Sequence, residues 1–151
     1  MASRDLVTHS SEETTACGRE IGALLKAPLL ILLSGELGAG KTTLTKGIVS
    51  GLGAAAEEEV TSPTFALVHK YGDGARVYHA DLYRVTDLHD LETLGLEDIF
   101  SEQAVVIVEW PEKLSPPSDW PVMSIRVEHV AEDTRRISIT SDGKLLEPKK
   151  E

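Results

Sequence analysis

Residues 35–42 of the chain read GELGAGKT, which fits the pattern GxxxxGK followed by serine or threonine. Residues 29–33 before this stretch, LLILL, form an uninterrupted apolar run that is typical of a strand buried on both faces. Residues 41–52 after it carry apolar side chains at helical spacing. A strand, a glycine-rich turn and a helix in this order predict a phosphate-binding loop, because glycines let backbone N–H groups converge on an anion.

The side chains of this loop match what a nucleoside triphosphate and its metal ion require. The start of the following helix adds unpaired N–H groups and the positive end of the helix dipole. Lys41 would supply a cation to the β- and γ-phosphates, the Thr42 hydroxyl would ligate Mg²⁺, and Thr43 would reach the α-phosphate. The predicted nucleotide-binding residues are Gly38, Ala39, Gly40, Lys41, Thr42 and Thr43.

Two acidic residues compete for the metal ion, since Mg²⁺ needs oxygen ligands beyond one hydroxyl. Glu109 follows the apolar run VVIV of residues 105–108, where a parallel strand beside the loop's own strand would deliver a carboxylate to the phosphates. Asp81 follows residues 77–80, VYHA, which is also a strand pattern. Either acid could bind the metal directly, bind it through water or orient an attacking water. Each acid also has an interpretation without function: Glu109 as a solvated acid at a strand end, and Asp81 as an aspartate in a turn.

Two further features near these acids have a functional and an ordinary interpretation. Ser62, Pro63 and Thr64 follow the loop's helix by about ten residues, where a phosphate-sensing switch can lie. An ordinary turn before a strand explains the same residues. Trp110 lies between Glu109 and Pro111, and either packing or ligand contact explains an aromatic side chain there.

The rest of the chain alternates between strand and helix patterns, which predicts an α/β fold with a mixed sheet flanked by helices. Its 151 residues suit a single P-loop ATPase domain over residues 1–151, with a frayed tail over residues 142–151. The remaining predicted elements are a helix over residues 11–26, extended segments over 65–71 and 76–80, a helix over 87–100, a strand over 104–108, and an antiparallel pair over 122–130 and 135–140.

The charge and the apolar runs of the chain exclude two classes of protein. Lysine and arginine number 15 against 25 aspartate and glutamate, for a formal charge of −10, which argues against a protein that binds nucleic acid on its own. No apolar run approaches the roughly 20 residues that span a bilayer, and the N-terminus lacks the apolar region of a signal peptide. We therefore expect a cytoplasmic protein with no membrane partner.

Four motifs in order make the chain similar to the TsaE family, the bacterial ATPases of tRNA threonylcarbamoyladenosine (t6A) biosynthesis. The likeness is strong over residues 11–110 and weaker beyond, where only length and strand pattern agree. The loop motif alone is shared by many families, and the third and fourth motifs, at their distance from the loop, make the likeness specific. The motifs are GELGAGKTT at residues 35–43, SPTF at 62–65, HADLYR at 79–84 and VEWP at 108–111.

The resemblance implies a small mixed-sheet P-loop fold that uses ATP and Mg²⁺. It also implies TsaB and TsaD as partners, which transfer threonylcarbamoyl to adenosine 37 of tRNA while ATP hydrolysis resets the complex. Its expected catalytic residues are Lys41, Asp81 and Glu109, its metal ligands are Thr42 and Glu109, and Asp81 lies at the γ-phosphate. It further implies a switch at residues 62–65, a functional Trp110, and Ser11 and Arg136 beside the adenine.

Two other functions use the same phosphate-binding loop. A small-molecule kinase needs an acceptor pocket and usually a lid with arginines, and residues 87–100 contain no arginine. A nucleotide-gated interaction module would hydrolyse ATP very slowly and act through its conformation. This last alternative overlaps with the first reading, because hydrolysis by such a subunit can be weak until its partners complete the site.

Overall fold

The computed structural model describes residues 2–36, 38–61, 68–72, 77–83, 85, 95–114 and 119–141. Three sequence predictions fall wholly or largely outside these ranges. They are the switch-like Ser62, Pro63 and Thr64, most of the helix predicted over residues 87–100, and the tail over residues 142–151.

Seven strands and three helices make up the described part of the fold, with short 3₁₀ turns at Glu57–Glu59 and Pro111–Lys113. The elements in chain order are β1 (Ala2–Thr8), α1 (Ser11–Leu24), β2 (Leu29–Ser34), α2 (Lys41–Gly51), β3 (Val68–Tyr71), β4 (Val77–Asp81), α3 (Leu96–Ile99), β5 (Val105–Glu109), β6 (Val122–Ala131) and β7 (Thr134–Ser141).

All seven strands join one sheet in the order β1-β7-β6-β2-β5-β4-β3. The central strand β2 runs parallel to β5 and β6, and β5 runs parallel to β4. The pairs β3–β4, β6–β7 and β1–β7 are antiparallel. This arrangement confirms the predicted α/β fold with a mixed sheet, and it places the loop's strand next to the strand that ends in Glu109.

Helices α1 and α2 cover one face of the sheet, where they pack on the apolar side chains of the central strands. The second face carries a separate apolar cluster that α3 helps to cover. The first cluster includes Ile21, Leu25, Leu29, Ile31, Leu33, Leu44, Ile48, Ile107, Ile125 and Ile137, and the second includes Leu30, Tyr78, Ala80, Leu82, Leu96, Ile99, Val106 and Val108. Among the described residues, no helix is long and apolar enough to cross a membrane.

The first helix begins at Ser11, as predicted, and ends two residues early. The Ser10 hydroxyl accepts a hydrogen bond from the Glu13 N–H at 3.1 Å, and the Glu13 carboxylate accepts one from the His9 N–H at 3.2 Å. Leu25 already has extended backbone angles, so the helix predicted to reach residue 26 ends at Leu24. Strand β1 was not predicted, because its seven residues have no clear alternation and only pairing with β7 orders them.

Helices α1 and α2 approach so closely that glycine is required where they cross. A Cβ atom on Gly47 would lie 2.1 Å from the Thr15 carbonyl oxygen and 2.9 Å from the Arg19 nitrogen. Gly18 meets the opposite helix in the same way, with the Leu44 carbonyl oxygen 2.4 Å from its Cβ position. The backbone of α1 therefore lies directly against the helix that follows the phosphate-binding loop.

We expect Gly47→Ala to destabilise the protein, although alanine is the better helix former. The added methyl group meets backbone atoms that cannot rotate away, and overpacking of this kind costs about 1–3 kcal/mol. For a domain of this size, each kcal/mol lowers Tm by about 2–4 °C. Ser50→Ala in the same helix is the matched control and should leave Tm unchanged or slightly higher. Thermal unfolding followed by circular dichroism tests this, and equal Tm values for the two variants would contradict it.

Candidate phosphate-binding site

The loop between β2 and α2 has the backbone that its glycines predict. Gly35, Gly38 and Gly40 have φ values of 147°, 80° and 105°, which side chains rarely adopt. A Cβ atom on Gly35 would also lie 2.5 Å from the Val127 carbonyl oxygen. Gly40 caps α2, whose first N–H groups have no acceptor within the helix and carry the positive end of its dipole. The loop thus presents backbone donors at the start of a helix, as an anion site requires.

Parallel pairing brings both candidate acids to the edge of the sheet where this loop begins. Leu33 of β2 pairs with Glu109 of β5, and Glu109 pairs in turn with Asp81 of β4. The carboxyl ends of parallel strands meet at one edge, so the two acids lie side by side on the face that α2 covers. Glu109 and Asp81 are 3% and 4% exposed.

Lys41 lies buried at the start of α2 with its ammonium between an acid and an aromatic ring. Its Nζ is 3.9 Å from Oε1 of Glu109 and 4.2 Å from the centroid of the Trp110 ring. Among the described residues, Nζ has no hydrogen-bond partner. Burial lowers the pKa of Lys41, and the carboxylates of Glu109, Asp81 and Glu112 offset part of that effect. An ammonium with unfilled donors is suited to take phosphate oxygens.

The second oxygen of Glu109 contacts a histidine for which no role is predicted. Nε2 of His79 lies 2.5 Å from Oε2 of Glu109, and the His79 side chain is fully buried. The strand alternation of β4 contained the signal for this contact, because His79 and Asp81 are two residues apart and share a face. The sequence did not indicate which strand lies beside β4, because that depends on the order of the strands in the sheet.

The oxygen donors near the loop fit a hard divalent cation. The carboxylate of Glu109 and the hydroxyl of Thr42 are the ligand types that Mg²⁺ prefers, and Thr42 and Thr43 are partly exposed at the start of α2. Asp81 Oδ1 accepts a hydrogen bond from the Tyr83 N–H at 2.9 Å, which orients the second acid. No group of three or more metal-binding side chains occurs within the described part of the chain. A cation here would thus take further oxygens from phosphate and water, which is how Mg²⁺ usually binds.

Trp110 packs against the second apolar cluster and also contacts Lys41. Its backbone is in the left-handed region at φ 58°, directly before the 3₁₀ turn at Pro111–Lys113. Its ring packs partly on the second apolar cluster and lies 4.9 Å from the ring of Tyr83. The same ring faces the Lys41 ammonium. Trp110 therefore forms a wall of the site as well as part of the packing.

A groove beside the loop is lined by Arg135, whereas the resemblance implies Arg136 beside the adenine. Arg136 is exposed and pairs with Val7 and Glu128, whereas Arg135 is on the opposite face of β7, the face that α1 covers. The structure therefore does not bring Arg136 to the loop, and Arg135 lies there instead. The alternation with buried Ile137 could have indicated this from the sequence. The groove is lined by Ser11, Thr14, Gly40, Thr43, Asp133 and Arg135.

Comparison with known proteins assigns the family. The family model described as "Threonylcarbamoyl adenosine biosynthesis protein TsaE" matches residues 8–137. The chain belongs to the TsaE family. It is 38% identical to the TsaE protein of Bacillus subtilis over 93% of this chain and 87% of the relative. Against the TsaE protein of Treponema pallidum the identity is 33%, over 88% of this chain and 97% of the relative. Both relatives are named tRNA threonylcarbamoyladenosine biosynthesis proteins.

A solved TsaE-like structure supports the same fold. The crystal structure of Bacillus subtilis YdiB superposes with a TM-score of 0.70 at 32% identity, covering 94% of this chain and 87% of that one. The phosphate-binding loop is consistent with the nucleotide binding that TsaE membership implies.

We expect the buried Lys41 to make stability depend on pH in the absence of nucleotide. Its pKa in the folded protein is lowered, so between that pKa and the usual value near 10.4 the unfolded chain binds more protons. The penalty for burying the charge is therefore complete at low pH and is relieved as the pH rises through this window. Urea unfolding of wild type and Lys41→Met between pH 7 and pH 10 tests this. The stability of wild type relative to the variant should increase with pH, and a constant difference would contradict the effect.

Proposed function

We propose that this chain is the ATP-hydrolysing subunit needed for the t6A modification at position 37 of tRNA. The observation that carries the proposal is the buried Lys41 ammonium, which lies at the phosphate-binding loop of a TsaE-family chain with Glu109 beside it. The proposal includes one P-loop ATPase domain over residues 1–151, a cytoplasmic location, and the partners TsaB and TsaD. In this proposal ATP hydrolysis resets the complex and supplies no atom of the modification.

The loop binds the triphosphate through Gly38, Ala39 and Gly40 and through the start of α2. Lys41 gives its ammonium to the β- and γ-phosphates and Thr43 contacts the α-phosphate. Thr42 and Glu109 hold Mg²⁺, which when bound neutralises charge that develops on the phosphates. The support for the roles of Lys41 and Glu109 is that the buried Nζ has no hydrogen-bond partner among the described residues and lies 3.9 Å from Oε1 of Glu109.

Asp81 and Glu109 divide two tasks, metal binding and orientation of the attacking water. Glu109 is the better metal ligand of the two, because it directly faces Lys41 and is paired with the loop's own strand. Asp81 is one strand further from the loop and is then the acid that orients water at the γ-phosphate. Ser62, Pro63 and Thr64 act as the switch that senses this phosphate.

We place the adenosine in the groove beside Gly40. The groove opens from the same turn of α2 that binds the phosphates, and Arg135 reaches within 3.5 Å of the Cβ position of Gly40. The planar guanidinium of Arg135 can stack on a purine ring. Ser11, which also lines the groove, offers a hydroxyl. Arg135 therefore takes the role that the resemblance gave to Arg136.

Single substitutions should separate nucleotide binding from hydrolysis. Lys41→Ala should abolish ATP binding or turnover, because no other cation in the described part of the loop reaches the phosphates. Glu109→Gln and Asp81→Asn should keep much of the binding and lower kcat by about 10²–10³-fold, the usual loss for one catalytic electrostatic group. Binding is measured with a fluorescent ATP analogue and turnover by phosphate release. Wild-type turnover in either acid variant would remove that residue from the mechanism.

The biological role is tested in cells and with the partners. A bacterial strain depleted of its own TsaE should recover t6A in its tRNA when it expresses this chain, and it should not recover with Lys41→Ala. Mass spectrometry of tRNA nucleosides measures the modification. Purified TsaB and TsaD should raise the ATPase rate of the wild-type protein. Full t6A with Lys41→Ala, or phosphorylation of a small acceptor by the pure protein, would contradict the proposed role.

A further inference from the structure

The contact between His79 and Glu109 is not explained by packing alone. The His79 side chain has no accessible surface. It shares its face of β4 with the fully buried Val77 and pairs with the fully buried Ile107 of β5. Burying an imidazole among apolar residues is unfavourable unless its polar atoms are hydrogen-bonded. The Nε2 atom meets this need through Oε2 of Glu109, at 2.5 Å.

The direction of this hydrogen bond follows from its acceptor. An ionised carboxylate only accepts, so Nε2 of His79 carries the hydrogen and donates it to Glu109. Nδ1 of His79 has no partner among the described residues. The hydrogen bonding of the ring is therefore directed at one oxygen of one acid, which distinguishes it from a core histidine that bonds to the backbone.

The two oxygens of Glu109 consequently have different surroundings. Oε2 is held by His79 from the neighbouring strand, and Oε1 points toward the Lys41 ammonium, where the phosphates and the metal ion are placed by the proposed function. A glutamate has three rotatable bonds, and a hydrogen bond to one oxygen removes much of that freedom. The other oxygen is then presented to the site in a single orientation.

We propose that His79 is a positioning residue, which holds Oε2 of Glu109 so that Oε1 alone is presented to Mg²⁺. This inference rests on the proposed function, because it gives Glu109 the metal. Hydrogen-bonded partners of metal-binding carboxylates orient them, and losing such a partner typically lowers metal affinity or activity about 10–100-fold. His79 itself touches neither nucleotide nor metal in this arrangement.

The test compares side chains that differ in where they place an N–H group. His79→Gln puts an amide about as far from the backbone as Nε2, His79→Asn puts it only as far as Nδ1, and His79→Leu removes it. Val77→Ala is the matched control, because Val77 is fully buried on the same face of β4, away from Glu109. The measurement is the Mg²⁺ concentration that half-saturates tight binding of a fluorescent ATP analogue, with binding in EDTA and kcat measured beside it.

We expect His79→Leu and His79→Asn to raise the half-saturating Mg²⁺ concentration about 10–100-fold and to lower kcat, with binding in EDTA unchanged. His79→Gln should recover most of the Mg²⁺ response. Val77→Ala should lower Tm but leave the half-saturating Mg²⁺ concentration unchanged. If His79→Leu does not fold, the comparison of Gln with Asn decides the question.

Three results would overturn the inference: a wild-type Mg²⁺ response in His79→Leu, equal responses in the Gln and Asn variants, or an equal shift in Val77→Ala. These differ from failure of the proposed function itself. If wild type binds no ATP with or without Mg²⁺, the proposed function fails and the inference fails with it. If wild type shows the Mg²⁺ response and the His79 variants share it, only the inference about His79 fails.

Discussion

Parallel pairing of β2, β5 and β4 is the constraint on which the site depends. The three strands run in the same direction, so their carboxyl ends lie at one edge of the sheet, where the phosphate-binding loop also begins. The register then places Glu109 between Leu33 and Asp81, and the glycine loop returns the chain into α2 above them. No single one of these segments contains the site. The site exists because backbone hydrogen bonds fix the register of three strands that are far apart in the sequence.

The charges at this edge of the sheet lower the stability of the protein without a ligand and favour the binding of one. Lys41 and Glu109 are nearly excluded from water, and at 3.9 Å their contact is too long for a hydrogen bond. Burial lowers the pKa of Lys41 although three acids surround it, so attraction by those acids does not fully replace the lost hydration. A triphosphate offers the oxygens that the ammonium lacks. Binding energy is thus available because the fold leaves this group incompletely satisfied.

Local sequence patterns predicted those elements whose signal is contained in one segment. The run LLILL, the glycine loop and the apolar spacing of α2 each carry their own period, and the structure has all three in place. Strand β1 was missed because it is largely exposed and pairs with a strand about 130 residues away. The contact of His79 with Glu109 was missed for a related reason, since it requires knowing that β4 and β5 are neighbours. The place of Arg135 was within reach of the sequence, because alternation with the buried Ile137 puts it on the covered face of β7. The switch at residues 62–64 stays a prediction.

The crossing of α1 and α2 links the two ends of the proposed nucleotide site. In the proposed site, the sheet edge would set the position of the phosphates. The groove beside Gly40 is lined in part by Ser11 and Thr14, which form a wall of it at the start of α1. That wall can reach the groove only because Gly47 and Gly18 let the two helix backbones touch. A larger side chain at the crossing would push the two helix backbones apart and so displace this wall relative to the loop. In the proposed function, helix packing would therefore shape the space around the base, and strand pairing would place the acids at the γ-phosphate.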